Sequence, residues 1–331
     1  MNAETFAEWM RRQGHQVYRT ASSYWYSAGP RVLQAFPYHW TITPSQNEIS
    51  ELMQANGIVA LRYSAPLNFH AGKASYHVVL HKPYHMDMLK AQTRNGIKRG
   101  LSHFQVEQIP FERLATEGWI LQQDTLERQN RSRSMKQEEW ERLCRAADGL
   151  SGFEAWAGIE NGELAGALII CRIDDVFNVP YSVCHSRFLC NHINNAVFYA
   201  ASCNMLEREG VNGIFYTVQS LDAPANVDEF KFRMGFKPKA VRQCVDFHPY
   251  LNPLATPTAH AWTQKLLQRD PSNPLLAKAE GMLRFHVEGN HILAEQPWPE
   301  CLERRQYPRT GLQTQSRTGL QTQSRTGLQT G

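Results

Sequence analysis

An apolar run, Gly213–Ile214–Phe215–Tyr216–Thr217–Val218, is followed closely by Val227–Asp228–Glu229–Phe230–Lys231–Phe232–Arg233–Met234–Gly235–Phe236. The first run reads as a buried strand. The second reads as a short helix stopped by a glycine set between apolar residues, and Ala240 to Phe247 then returns as a strand. Strands joined through helices constrain a chain to a layered α/β architecture. The residues upstream agree. Phe153 to Glu160 reads as a strand, and Asn161–Gly162 is a strong hairpin signal. Leu164 to Ile173 is almost continuously apolar, as in a strand covered on both faces. Asp174–Asp175 turns the chain into a strand at 176–185. A long helix from Asn194 to Glu209 places Val197, Phe198, Ala201, Met205 and Leu206 on one face and stops at Gly210. That helix supplies the crossover that parallel strands need, so 176–185 and 213–219 are predicted to be parallel neighbours.

The first part of the chain carries similar signals. Residues 3–13 read as a helix with Phe6, Trp9 and Met10 on one face. Val17 to Ser27 and Arg31 to Phe36 form a hairpin about Gly29–Pro30. Ser45 with Glu48 marks a helix start, and Asn56–Gly57 its end. Strands at 58–63 and 75–81 follow, then a helix from His85 to Arg99 ending at Gly100, with a basic last part. A strand follows at 104–107, then helices at 116–129 and 136–147. Beyond Pro253, Ala259 to Gln268 and Pro274 to Phe285 read as amphipathic helices that pack on the body or mediate assembly.

The strand, helix and strand order, with Phe-Lys beside Met-Gly-Phe at 230–236, resembles the GNAT superfamily of acyltransferases. In pattern it is most similar to the Fem-type branch, whose best-known members attach amino acids to peptidoglycan precursors. The fold so implied is α/β with tandem GNAT-like halves, mixed central sheets and a helical C-terminal extension. Its divisions are 1–120, a catalytic half at 121–250, the extension at 251–306 and a tail at 307–331.

Bulk properties narrow the partners. Apolar residues make up 42% of the chain and charged ones 20%, as in a globular protein. The formal charge is +4, but Arg309, Arg317 and Arg325 lie in a tail that repeats an eight-residue unit. The near-neutral body gives no global argument for nucleic-acid binding. The repeat, with one leucine per unit, reads as disordered. The N-terminus has no apolar core like that of a secretory signal, and no apolar run is long enough to span a membrane, so the expected location is cytoplasmic. Seven cysteines without a C-x-x-C pair read as reduced, buried thiols. The spacing of Cys184, His185, Cys190 and His192 matches no zinc pattern, so no metal is expected.

The resemblance implies transfer of an acetyl or aminoacyl group from a thioester or ester donor to an amine. The donor would lie where 176–184 and 213–219 splay apart, and the acceptor would be a small molecule or a cell-wall or polysaccharide precursor. Catalytic candidates are His185, a base suited to neutral pH, with Asp222 and with Tyr216 as proton donor. Ordinary structural roles stay open for each: a strand-end histidine, a turn aspartate and a buried tyrosine. Donor-binding candidates are Asn194, Asn195, Gln219, Ser220, Lys231 and Arg233. Coenzyme-A-using members normally carry a glycine-rich loop before the long helix. Here 187–196 holds no glycine, and Asn191, Asn194 and Asn195 are partial substitutes because asparagine tolerates left-handed backbone. Acyl-CoA is therefore one expected donor and aminoacyl-tRNA the alternative, as in Fem-type enzymes. The basic run at Arg94 to Arg99, with Arg128, Arg131 and Arg133, would suit tRNA or a solvated helix face. A third reading is a GNAT fold that binds without catalysis.

Overall fold

The computed structural model describes residues 2–129, 135–221 and 228–303. The tail repeat, Asp222, Arg131 and Arg133 lie outside them. Helix α1 (Ala3–Arg12) buries Phe6, Trp9 and Met10 as its periodicity requires. Strands β1 (Val17–Arg19), β2 (Tyr24–Gly29) and β3 (Val32–Phe36) follow as an antiparallel meander. In α2 (Gln46–Asn56), Ser45 Oγ accepts the Glu48 N–H at 3.2 Å, and Gly57 ends the helix at φ 61°, a left-handed angle that glycine adopts without penalty. Strands β4 (Ala60–Ala65) and β5 (Lys73–His81) complete this part.

The next stretch departs from expectation in two places. The helix expected at 85–99 begins later and ends later: a 3-10 turn at Met86–Met88 precedes α3 (Ala91–His103), which runs through Gly96 and Gly100. After β6 (Gln105–Ile109), the helix expected at 116–129 is two, α4 (Phe111–Glu117) and α5 (Trp119–Arg128), parted at Gly118. Then come α6 (Gln137–Ala147), β7 (Phe153–Glu160), β8 (Glu163–Ile173), β9 (Val176–Cys184), α7 (Ile193–Glu207) and β10 (Gly213–Val218). Helix α8 (Glu229–Arg233), β11 (Lys237–Phe247), α9 (Pro257–Arg269) and α10 (Pro274–Gly289) follow. The β7–β8 turn is the expected Asn161–Gly162, both at positive φ.

Among the described residues eleven strands form one sheet in the order β1-β2-β3-β4-β11-β5-β10-β9-β8-β7-β6. The order has an internal symmetry. From β1, two antiparallel pairs lead to a parallel pair, β3 and β4, joined across α2. From β7, two antiparallel pairs lead to a parallel pair, β9 and β10, joined across α7. The last strand of each half then crosses over: β11 pairs with β4, and β5 pairs with β10. The two exchanged strands pair with each other at the centre.

The sheet curls so that its arms meet over α1. The Phe6 ring lies 5.3 Å from Phe36 of β3 and 6.2 Å from Phe153 of β7. Helix α7 covers the opposite face, where Ile193, Val197 and Ala201 pack with Leu168, Ile170 and Ile214. Helix α3 crosses the start of α7 at close range. A Cβ on Gly100 would lie 2.7 Å from the His192 carbonyl oxygen and 2.9 Å from Ala196 Cβ. This contact explains why the helix continues through its glycines.

Helix α10 seals the centre of the sheet. Gly289 packs on Gly72, Glu288 pairs with Lys73, and the His286 imidazole meets the Val245 carbonyl at 2.8 Å. Helix α9 lies on α10, with His260 Nε2 2.9 Å from Glu280 Oε1. No helix among the described residues is long and apolar enough to cross a membrane.

Candidate functional site

The parallel pairing of β9 with β10 lasts for three positions, Val176 with Gly213 through Asn178 with Phe215, and then stops. Both strands bulge there. Against β8, Ile170 faces two residues of β9, Val179 and Pro180, so the register shifts by one. Proline has no N–H to give a ladder, so inside a sheet it belongs at such a bulge. Against β5, β10 carries Tyr216 as its extra residue. Two bulged strands diverging open the sheet, and a cavity of about 420 Å³ fills the gap. Asn178, Pro180, Tyr216, Thr217, Gln219 and Ser220 line it from the second half. Tyr26, Gln34, Tyr38 and Arg62 line it from the first, and Lys278 of α10 also reaches it.

Several of these groups are held in place. Gln219 Oε1 accepts the Ser75 hydroxyl at 2.9 Å, and its backbone is tied to Tyr76 and Gln243. The Tyr216 ring leans on Phe198 and Phe236, and Lys231 Nζ lies 4.4 Å from its centroid. Burial pushes its phenol up to about 12, outweighing the Ser182 hydroxyl that bonds to it. Tyr216 therefore keeps its phenolic proton at physiological pH.

Two histidines stand behind the cavity wall. His39, on the segment after β3, places Nδ1 3.1 Å from Asn178 Oδ1, and burial lowers its pKa. His77 of β5 pairs with Ser64 Oγ at 2.8 Å and sets its ring at right angles to Phe215. Burial thus favours the neutral form of the His39 imidazole.

The matching gap between β3 and β4 is occupied by the chain itself. Their pairing ends at Gln34 with Arg62, and beyond it the Ile42 N–H donates to the Ser64 carbonyl at 2.8 Å. The N-terminus of α2 is closed as well, since Glu48 folds back to accept the Ser22 N–H and hydroxyl at 2.9 and 2.6 Å.

The residues named from sequence separate into three places. Tyr216, Gln219 and Ser220 line the cavity. Lys231 bonds the buried Asp228, which also accepts the Tyr76 hydroxyl, while Arg233 stands exposed on α8. His185, Asn194 and Asn195 lie past the end of β9. His185 Nδ1 accepts the Arg187 N–H at 3.2 Å and is 3.3 Å from Asp124 Oδ2. Asn194 bonds the Cys184 thiol, and Asn195 reaches Met234 Sδ at 3.5 Å. The first turn of α7 is flanked by α3: a Cβ on Gly96 would lie 3.2 Å from the His192 ring and 3.3 Å from Asn195 Nδ2. Of the basic run, Arg94 is tied to the Leu89 carbonyl, and Lys98 and Arg99 are exposed. His39, Asn178, Gln34 and Arg62 were not foreseen. Pro180, a proline within a strand pattern, was the available sign of the bulge.

No protein-family model and no curated protein matches the chain in sequence. Solved structures resemble it. A conserved protein of unknown function from Bacteroides thetaiotaomicron aligns over 72% of this chain and 87% of its own, at 10% identity and a TM-score of 0.50. FemX aligns over 72% and 90%, at 10% identity and a TM-score of 0.49. L-PGS from Bacillus licheniformis aligns over 76% and 94%, at 12% identity and a TM-score of 0.49. With the Bacteroides protein the chain shares a mixed α/β fold, here built from two runs of like strand order. At these identities the likeness concerns the path of the chain and assigns no residue a role.

Proposed function

We propose that the chain is an acyltransferase that passes an acyl group from a thioester or ester to an amine in the opening between β9 and β10. The paired bulges at Pro180 and Tyr216 carry this reading. They break the sheet at a place lined by polar groups, and they set a neutral phenol at its edge. The attacking amine gives up its proton to a base as the new C–N bond forms, and Asn178, which His39 meets from behind the wall, lines the opening where the amine would stand. The carbonyl oxygen gathers negative charge as the tetrahedral intermediate forms, and polar groups aimed at that oxygen stabilise it. Tyr216 supplies a proton to the departing sulfur or oxygen. His185 and Asp222 remain candidates for the base, and Lys231, Arg233, Gln219, Ser220, Asn194 and Asn195 for holding the donor.

A second reading concerns the donor. Helix N-termini hold phosphates through exposed N–H groups. Here α3 flanks the first turn of α7, and the preceding loop has no glycine to wrap a pyrophosphate. That favours an aminoacyl ester such as aminoacyl-tRNA over acyl-CoA, with transfer to the amine of a cell-wall or polysaccharide precursor.

Thermal shift against acetyl-CoA, longer acyl-CoAs and aminoacyl-tRNA separates the readings. A donor at one hundred times its Kd stabilises the fold by about 2.7 kcal/mol. A shift with acyl-CoA alone selects the thioester, and one with aminoacyl-tRNA alone selects the ester. No shift with any of them would turn the opening into a binding site for another ligand and end the transferase reading.

A further inference from the structure

Helix α9 buries none of its residues. Its inward side, Ala259, His260, Thr263 and Leu267, is half-buried, and its outer side carries Trp262, Lys265, Leu266 and Arg269. Positions spaced three, four and seven apart share one stripe of a helix. Trp262 is 65% exposed and Leu266 44%. Just before the helix, Tyr250 is 85% and Leu254 67% exposed. Pro257–Arg269 contains no aspartate or glutamate. Lys265 Nζ lies 5.9 Å from the Trp262 ring centroid, so the cation stands alongside the aromatic rather than away from it.

We propose that this stripe is a docking site for an anionic lipid surface. A helix of this length lies about 20 Å long in the plane of the interface. Trp262 and Leu266 enter the boundary between headgroups and acyl chains, and Lys265 and Arg269 reach lipid phosphates. Tryptophan and tyrosine suit that boundary because one part of the ring system is apolar and another is polar. A protein partner fits less well. The centres of protein interfaces are depleted in lysine, whereas here cations alternate with the apolar groups. A stable dimer also buries about 1,200–2,000 Å² in total, more than a few side chains of one short helix supply. The proposal does not depend on the transferase reading. It adds that the cavity, which Lys278 of the adjoining α10 lines, would work close to a membrane.

Co-sedimentation of the full chain with vesicles tests it. One set holds phosphatidylglycerol and phosphatidylcholine in equal parts, the other phosphatidylcholine alone. The chain is expected to sediment with the anionic vesicles, and less so as salt rises. Cations near an anionic surface add to the attraction, so Lys265→Glu with Arg269→Glu should weaken binding about tenfold or more. Trp262→Ser should weaken it as well, with the melting temperature of each variant confirming the fold. No binding to anionic vesicles, equal binding to both sets, or binding unaffected by either variant would overturn the proposal. So would a concentration-dependent dimer that Trp262→Ser dissolves, since the stripe would then belong to a second copy of the chain.

Discussion

His77 is enclosed between Ser64 and the edge of Phe215, and burial holds its pKa down at about 3. A histidine in the unfolded chain titrates near 6.5. Between these values the unfolded state binds a proton that the folded state refuses, so stability falls as pH drops through 6.5 toward 3. The loss is about 1.4 kcal/mol per pH unit at most. Denaturant midpoints of wild type and His77→Gln at pH 7.5 and pH 4.5 check this. The variant should lose less stability over the interval, and equal losses would show that His77 takes no part. Tyr216 calls for a kinetic test. With its phenol pushed up to about 12, Tyr216→Phe removes a proton donor and little volume. Turnover should drop about 10²–10⁴-fold, the usual worth of a general acid, while the thermal shift with the donor stays unchanged. A variant with wild-type turnover would take the tyrosine out of the chemistry. Tyr216, Gln219 and Ser220 could be named from sequence because they sit at the end of one recognisable strand. His39 could not, because its partner Asn178 lies 139 residues away and no local pattern links them.

At the scale of elements, glycine was the misleading signal. A glycine in a helix costs about 1 kcal/mol against alanine, so Gly100 reads as a stop. In the structure α3 passes through it because only a residue without a side chain lets the His192 carbonyl and Ala196 come so near. The packing of a second helix outweighs the local preference, and that helix begins some ninety positions further on. Strand order fared better. The hairpin at Asn161–Gly162, the parallel β9 and β10 and the capped α2 all follow from short-range chemistry, and all are present. The contact between α3 and α7 yields a sharp expectation. Gly100→Ala would gain about 1 kcal/mol in an isolated helix. Here it should destabilise the protein by about 1–3 kcal/mol, as overpacking does. Gly96→Ala meets only side chains, at 3.2 Å and beyond, and should cost less. Denaturant titration of both variants decides, and a Gly100→Ala protein more stable than wild type would mean that the helices do not touch there.

At the scale of the whole molecule, the strand exchange makes each half incomplete. Residues before α5 supply β5, which pairs with β10 of the later half on one side and with β11 on the other. Residues after α5 supply β11, which separates β4 from β5. The sequence shows two similar runs of strands and helices, but which last strand joins which arm depends on pairings across the chain and leaves no local trace. Without β11, β4 presents an open edge, and β5 has no partner in its own half. An unpaired strand edge of this kind leaves backbone groups unsatisfied and invites aggregation. A split chain tests the consequence. Fragments 1–129 and 130–331, each expressed alone, should show no cooperative melt. Mixed or co-expressed, they should form a one-to-one complex, because β5 and β11 complete each other's sheets. Size-exclusion chromatography and circular dichroism during heating provide the readout. If fragment 1–129 melts cooperatively by itself, its four-strand arm is stable without the exchanged strand, and the two halves would be separate folding units that merely share an edge.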